Sequence, residues 1–225
     1  MDLQLTGRVV LVVGGGGFIG SAIARRARDE GATVVVASRN PSDGIVLDAG
    51  DEASVNAAIA QVIDRHGRLD AVVVTAAPPA HTLDPARSGD PAQVAEAIDA
   101  KALAFLRVAN ASIPVMAEAG FGRVVGVSGQ NAFLTGNITG SVRNAALNII
   151  AKNLADAAAG SGVTVNTVNP GLVRSEPSVD VEPGRGGESS PTQIADLVAF
   201  LISPLSALSG ESIAVGHRIR GVISG

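Results

Sequence analysis

Val9-Val10-Leu11-Val12-Val13-Gly14-Gly15-Gly16-Gly17-Phe18-Ile19-Gly20 is the stretch on which the fold turns. Residues 8–13 contain a short aliphatic run rich in β-branched side chains, which reads as a strand. Glycines at 14, 17 and 20 follow it at once, and a helical pattern begins near Phe18 and runs to Asp29. A backbone of this kind turns tightly, lets another group approach closely and aims free helix N-terminal amides at it. Those are the needs of a pyrophosphate. The position at the head of a strand–helix–strand unit separates this loop from a flexible low-complexity turn.

Outward from that unit the alternation continues. Further strands are predicted at 32–37, 45–47, 71–75, 123–128, 163–168 and 212–215, and helices at 51–65, 91–117, 141–159 and 192–202. His66-Gly67 suits a helix C-terminus. Pro114 is expected to end or kink the long helix that contains it. Strand–helix alternation means parallel βαβ units with right-handed crossovers. The expected fold class is therefore α/β: a three-layer, doubly wound parallel sheet of about seven strands, a Rossmann fold, forming one domain over residues 1–225. Residues 176–191, rich in Pro, Gly, Ser and acidic side chains, are too polar for core and are expected to form a mobile surface loop.

Composition agrees. Hydrophobic residues make up 46% of the chain and aromatic ones 2%, so the core must be aliphatic, as suits a buried parallel sheet. A net charge of −4 lacks the concentrated Lys and Arg that a nucleic acid or an anionic membrane surface demands, and neither partner is expected. The chain has no Cys, which removes disulfide and thiolate chemistry and fits a cytoplasmic location. No secretory signal is visible at Met1-Asp2-Leu3-Gln4-Leu5, and no apolar stretch of membrane-spanning length is expected. His66, His81 and His217 are scattered without metal-ligand spacing, so no metal is expected.

The end of the second predicted strand selects between dinucleotides. A carboxylate there would bind a ribose 2′-hydroxyl; this chain has Ser38-Arg39-Asn40 instead. A guanidinium can pair with a 2′-phosphate, so Arg39 points to NADP(H), unless it is only a solvated charge after a strand. Asp48 has two readings: an acceptor for the adenine amino group, or an acid favoured by a helix N-terminus.

With these motifs in hand, the chain resembles the short-chain dehydrogenase/reductase family along nearly its whole length. The glycine loop Gly14, Gly17, Phe18, Ile19 and Gly20 is similar to that family's, with the spacing of its longer members. Ala71–Ala77 occupies the place of the strand that ends in Asn-Asn-Ala-Gly, with Ala76 retained and Ala77 beside it. Asn169-Pro170-Gly171-Leu172-Val173-Arg174-Ser175 resembles the Pro-Gly segment that holds the nicotinamide carboxamide. The resemblance implies such contacts from Pro170, Gly171, the Val173 backbone and the Ser175 hydroxyl. Ser209-Gly210-Glu211 resembles the Thr-Gly before the last strand, and Gly216-His217-Arg218 replaces the usual Asp-Gly-Gly.

The catalytic positions depart from the pattern. Gly140-Ser141-Val142-Arg143-Asn144-Ala145-Ala146-Leu147 aligns with the family's Tyr-x-x-x-Lys-Ala-Ala-Leu, so Gly140 replaces the acid and Asn144 the lysine. The chain contains no tyrosine at all. The family's carbonyl-polarising serine falls at Ser128 or Gly129, and its mid-helix asparagine at Asp99 or Ala100. A general acid is worth about 10²–10⁴ in rate, so its loss is not a detail. Asn144 remains able to hydrogen-bond the ribose but cannot supply the lysine's charge. His81 is a candidate proton donor at the carboxyl end of the sheet, or a solvated loop histidine. Arg143 is a candidate to stabilise an oxyanion or bind an anionic substrate, or a solvent-facing charge. Ser128 is a candidate hydrogen-bond donor, or a strand-terminal hydroxyl bonded to backbone.

Three functions remain open: an NADP(H)-dependent oxidoreductase with a rebuilt site acting on a small-molecule carbonyl or imine, a catalytically inactive NADP(H)-binding sensor or partner subunit, and a non-redox enzyme. The family resemblance implies a homodimer or homotetramer formed through the long helices. Leu147, Ile150 and Leu154 are spaced for such packing, or for packing on their own sheet.

Overall fold

A computed structural model describes residues 1–78 and 82–221. Seven strands form one parallel sheet: β1 (Val9–Val13), β2 (Thr33–Ser38), β3 (Ile45–Val46), β4 (Ala71–Val74), β5 (Gly122–Val127), β6 (Val163–Pro170) and β7 (Ser212–Val215). Their order across the sheet is β3-β2-β1-β4-β5-β6-β7. Six α-helices cover it: α1 (Phe18–Asp29), α2 (Glu52–His66), α3 (Pro91–Ile98), α4 (Ala104–Glu118), α5 (Ile138–Ala157) and α6 (Pro191–Leu201).

The alternation of side chains along each strand builds two cores. Val9, Leu11 and Val13 of β1 pack with residues of α2, α4 and α5. Val10 and Val12 pack on the other face with Ala22, Ile23 and Ala27 of α1 and with Ile194, Val198 and Leu201 of α6. Because β1 is fully buried, each of its residues must be apolar, and the unbroken aliphatic run of the sequence is the consequence. This is the doubly wound arrangement expected.

Strand order reverses between β1 and β4, so the loops leaving their carboxyl ends part there and leave a crevice. Thr75 joins them: its backbone N–H donates to Val13 O at 2.9 Å, and its hydroxyl donates to Val13 O at 3.0 Å and Gly14 O at 3.1 Å.

Three expectations are corrected. Pro114 neither ends nor breaks its helix, which continues to Glu118. Residues 91–118 instead form a continuous helical run interrupted by a π-turn, Asp99–Leu103. This 28-residue run does reach membrane-spanning length and hydropathy, but Phe105, Val108, Ala109 and Met116 from it are buried in the sheet's core, which accounts for its apolar face. The third, a mobile surface loop at 176–191, is corrected only in part: most of the stretch lies at the surface as expected, but several contacts hold it. Arg220 Nη1 donates to Val181 O at 2.7 Å, Gly187 N donates to His217 O at 2.7 Å, and Ser189 is completely buried.

Candidate functional site

The loop after β1 is shaped by contacts that exclude side chains. Gly14 has φ +82, and a Cβ there would lie 2.7 Å from Thr75 Oγ1 and 2.8 Å from Ala76 N. A Cβ on Gly20 would lie 2.3 Å from Gly14 O. These two glycines let strand, loop and helix close on one another. Gly16, by contrast, has nothing within 4 Å of its missing Cβ. Gly17 is the N-cap of α1 with no side-chain cap, which leaves the first helical amides available. Phe18 (57% exposed) and half-buried Ile19 open that helix.

Ser38 ends β2, and Arg39 beside it is exposed. Asp48 is exposed, and its Oδ1 accepts from Gly50 N at 2.9 Å. Ala76 and Ala77 are half-buried after β4. Pro170 is the buried last residue of β6; Gly171 and Val173 are half-buried, and Ser175 is exposed. Val173 bridges to Ser189, fixing this segment against the loop that returns to α6. All of these lie at or after the carboxyl ends of strands. His81 lies outside the described residues.

Around the start of α5 the sequence reading is sharpened. A Cβ on Gly129 would meet the Asn144 side-chain amide at 3.4 Å. Gly129 therefore faces the side chain of Asn144, and Ser128 meets only its backbone. The Ser128 hydroxyl is buried and donates to Asn144 O at 3.0 Å, so it anchors α5 to the end of β5 and is not aimed at a substrate. A Cβ on Gly140 would approach Asn137 Oδ1 at 3.1 Å and Asn131 Nδ2 at 3.3 Å. Two asparagine amides thus crowd the position aligned with the phenol. Asn137 caps α5 by accepting from Gly140 N at 2.7 Å. Asn144 is buried; its Nδ2 donates to Gly140 O at 2.8 Å, and its Oδ1 is buried with no partner. Asp99 pairs with Arg107 at 2.6 Å, and 49% of its side chain is exposed, so it does not replace the family's mid-helix asparagine in the site.

Two cations complete the arrangement. Arg143, at 5% exposure, donates from Nη1 to Pro78 O at 3.3 Å, across to the loop after β4. The solvated alternative for it is excluded. Lys101, on the π-turn and 7% exposed, donates to Ser128 O at 2.9 Å. Burial, then repulsion from Arg143, push the Lys101 ammonium down from 10.5 to about 7. Sequence reasoning missed Lys101. The signal was present: a single cation inside Ala100-Lys101-Ala102-Leu103-Ala104, where a lysine has no reason to be unless its head group has a destination.

Residues 17–217 match the family model described as Enoyl-(Acyl carrier protein) reductase. The chain is 32% identical to the (2S)-[(R)-hydroxy(phenyl)methyl]succinyl-CoA dehydrogenase subunit BbsC of Thauera aromatica, over 96% of this chain and 95% of that one. It is 26% identical to the 3-oxoacyl-[acyl-carrier-protein] reductase FabG of Vibrio harveyi, over 95% and 97% of the two chains. In fold it is similar to a short chain dehydrogenase from Mycobacterium smegmatis, with a TM-score of 0.82 at 24% identity, covering 96% of this chain and 94% of that one.

Proposed function

Because this chain belongs to the short-chain dehydrogenase/reductase family, we propose that it is an oxidoreductase of that family which binds NADP(H) and exchanges hydride with a small carbonyl- or imine-type substrate in a rebuilt site. The observation that carries this reading is the glycine loop. Gly14 and Gly20 are held by contacts that any added side chain would force apart, while nothing lies within 4 Å of a Cβ on Gly16 and the Gly17 helix terminus has no side-chain cap. A cradle built so closely around an empty rim fits a dinucleotide phosphate.

The other residues fit the same group. Arg39 would take the 2′-phosphate. Asp48 keeps a second carboxylate oxygen for the adenine side. Ala76, Ala77, Pro170, Gly171, Val173 and Ser175 would line the nicotinamide half. Asn144 Oδ1, buried and unpartnered, would accept from a ribose hydroxyl. The bound nicotinamide supplies or accepts the hydride; this chain's residues bind it, orient it and exclude water. With no phenol at Gly140, the substrates best served are those that need no strong proton donor, such as an iminium. The same family reading carries assembly as at least a homodimer, and a cytoplasmic location.

A second reading has its own support. Asn131 and Asn137 crowd the phenol's position, and one relative is named as a dehydrogenase subunit. A non-catalytic NADP(H)-binding subunit would need the cradle and not the acid.

The chain has no Trp and no Tyr, so a bound dinucleotide dominates its near-ultraviolet absorbance. Titration with NADPH and NADH is expected to show saturable binding with NADPH favoured. No uptake of either would refute the cofactor assignment. Oxidation of NADPH at 340 nm across ketones, imines and enones separates the enzyme from the silent subunit.

A further inference from the structure

Arg143 and Lys101 form an unusual pair: two like charges, each more than nine-tenths buried, with no carboxylate facing either among the described residues. The nearby acids are committed elsewhere. Asp99 pairs with Arg107, Asp90 pairs with Arg87, and Asp84 caps a 3-10 turn. Burial alone lowers the Arg143 guanidinium, and the one charge acting on Lys101 is Arg143 itself. Burying two cations that repel one another opposes folding unless an opposite charge joins them at work.

Both side chains are held, yet neither is satisfied. Arg143 spends one N–H on Pro78 O, and its Nε is buried without a partner. Lys101 spends one of its three N–H groups on Ser128 O. The first anchor is the loop after β4 and the second the end of β5, adjacent strands of the sheet. The pair therefore spans the carboxyl edge beside Gly129, Gly140 and Asn144, where a substrate would meet the nicotinamide half of the crevice.

We propose that Arg143 and Lys101 form a receptor for one carboxylate, the anionic group of this protein's substrate. A guanidinium with a free Nε edge offers the planar fork that a carboxylate matches with two parallel hydrogen bonds. The inference deepens the proposed function and rests on its placement of the substrate, but not on a dinucleotide being bound. An oxyanion so held also favours the charged form of Lys101, because a bound negative group offsets the burial and the Arg143 repulsion that now lower its proton affinity.

The chain's two lysines are Lys101 and Lys152, so protein labelled with [ε-13C]lysine gives two resolvable signals. Lys152 is half exposed and pairs with Asp156, and serves as the internal control; Lys152→Arg assigns the signals. The dinucleotide-free protein is titrated with pH in acetate, in butyrate and in benzoate, then in chloride, inorganic phosphate and NADP. The Lys101 midpoint is expected to rise by a unit or more in a carboxylate, a tenfold change in proton affinity, while Lys152 stays fixed. Arg143→Met is expected to abolish the rise and Arg143→Lys to restore part of it. An unmoved midpoint in all three carboxylates overturns the proposal. So does an equal rise in chloride, which marks an adventitious ion only. A rise confined to phosphate or NADP overturns it too, because the pair would then belong to the cofactor. If Arg143→Met fails to fold, the wild-type titration and Arg143→Lys still decide. Failure here with intact NADPH uptake refutes the carboxylate receptor alone.

Discussion

At the scale of single residues, the glycine loop separates packing from binding. Gly20→Ala must push its methyl against Gly14 O; it is expected to destabilise the fold by about 1–3 kcal/mol, the usual cost of overpacking, measured by denaturant melts. Gly16→Ala meets nothing in the protein, so its stability should stay within about 0.5 kcal/mol while NADPH affinity falls at least tenfold. Wild-type affinity in Gly16→Ala would mean that the phosphate does not approach this rim. Arg39→Ala is expected to weaken NADPH roughly ten- to a hundredfold and leave NADH unchanged, since a charge-assisted pair is worth about 1.5–3 kcal/mol. Lys101 carries a pH signature. Its folded value of about 7 lies below its ordinary 10.5, so the unfolded chain binds the extra proton between those limits. Stability should therefore rise as pH goes from about 7 to about 10.5, with the full penalty present below 7. Lys101→Met removes that penalty. At pH 6 the variant should be more stable than wild type, by up to several kcal/mol at about 1.4 kcal/mol per unit, with the gap closing above pH 10. A gap independent of pH would show that the ammonium is not the cause. The glycines were legible because their chemistry is local. Lys101 was not, because its meaning depends on Ser128 and Arg143, which are 27 and 42 positions away in the chain.

At the scale of elements, the strands could be read closely because each is buried and must be aliphatic over its whole length; β7 and α1 fall where the pattern puts them. The π-turn Asp99–Leu103 could not be read, since one extra residue per turn leaves no mark in composition. Such turns cluster at functional sites, and this one presents Lys101. Pro114 misled for a related reason. The lost hydrogen bond is an intrinsic cost, but tertiary packing of Phe105, Val108, Ala109 and Met116 outweighs it. The start of α5 lies three residues before the predicted one because Asn137 caps it and the helix opens at Ile138. Asn137 accepts from Gly140 N and from the Ser88 hydroxyl at 3.2 Å. Asn137→Ala should cost about 1 kcal/mol, seen in a melt. Asn137→Asp should keep most of that stability, because a carboxylate caps as well.

At the scale of the whole molecule, the proposed assembly needs an apolar surface outside the protein's own core. The stripe Leu147, Ile150 and Leu154 suggested by helical spacing belongs to the protein's own core: Leu147 is fully buried, and the other two are half-buried against it. A different stripe on α5 is left over. Ile138, Val142 and Ile149 are 56%, 38% and 60% exposed, and their spacing of four and seven residues places them on one side of the helix. Scattered apolar residues need no explanation, but a row along one helix is a candidate contact for the proposed assembly. Assembly through α5 would place the Asn137 cap, Arg143 and Asn144 on the same rigid helix that carries the contact, so subunit association would stiffen the site it supports. Ile149→Asp puts a charge at the C-terminal end of that row, on its most exposed member and outside the core. It is expected to convert the assembled protein to a smaller species in light scattering at micromolar concentration, and to weaken NADPH binding less than tenfold. A wild-type monomer at that concentration, or a variant of unchanged mass, would move the interface off α5.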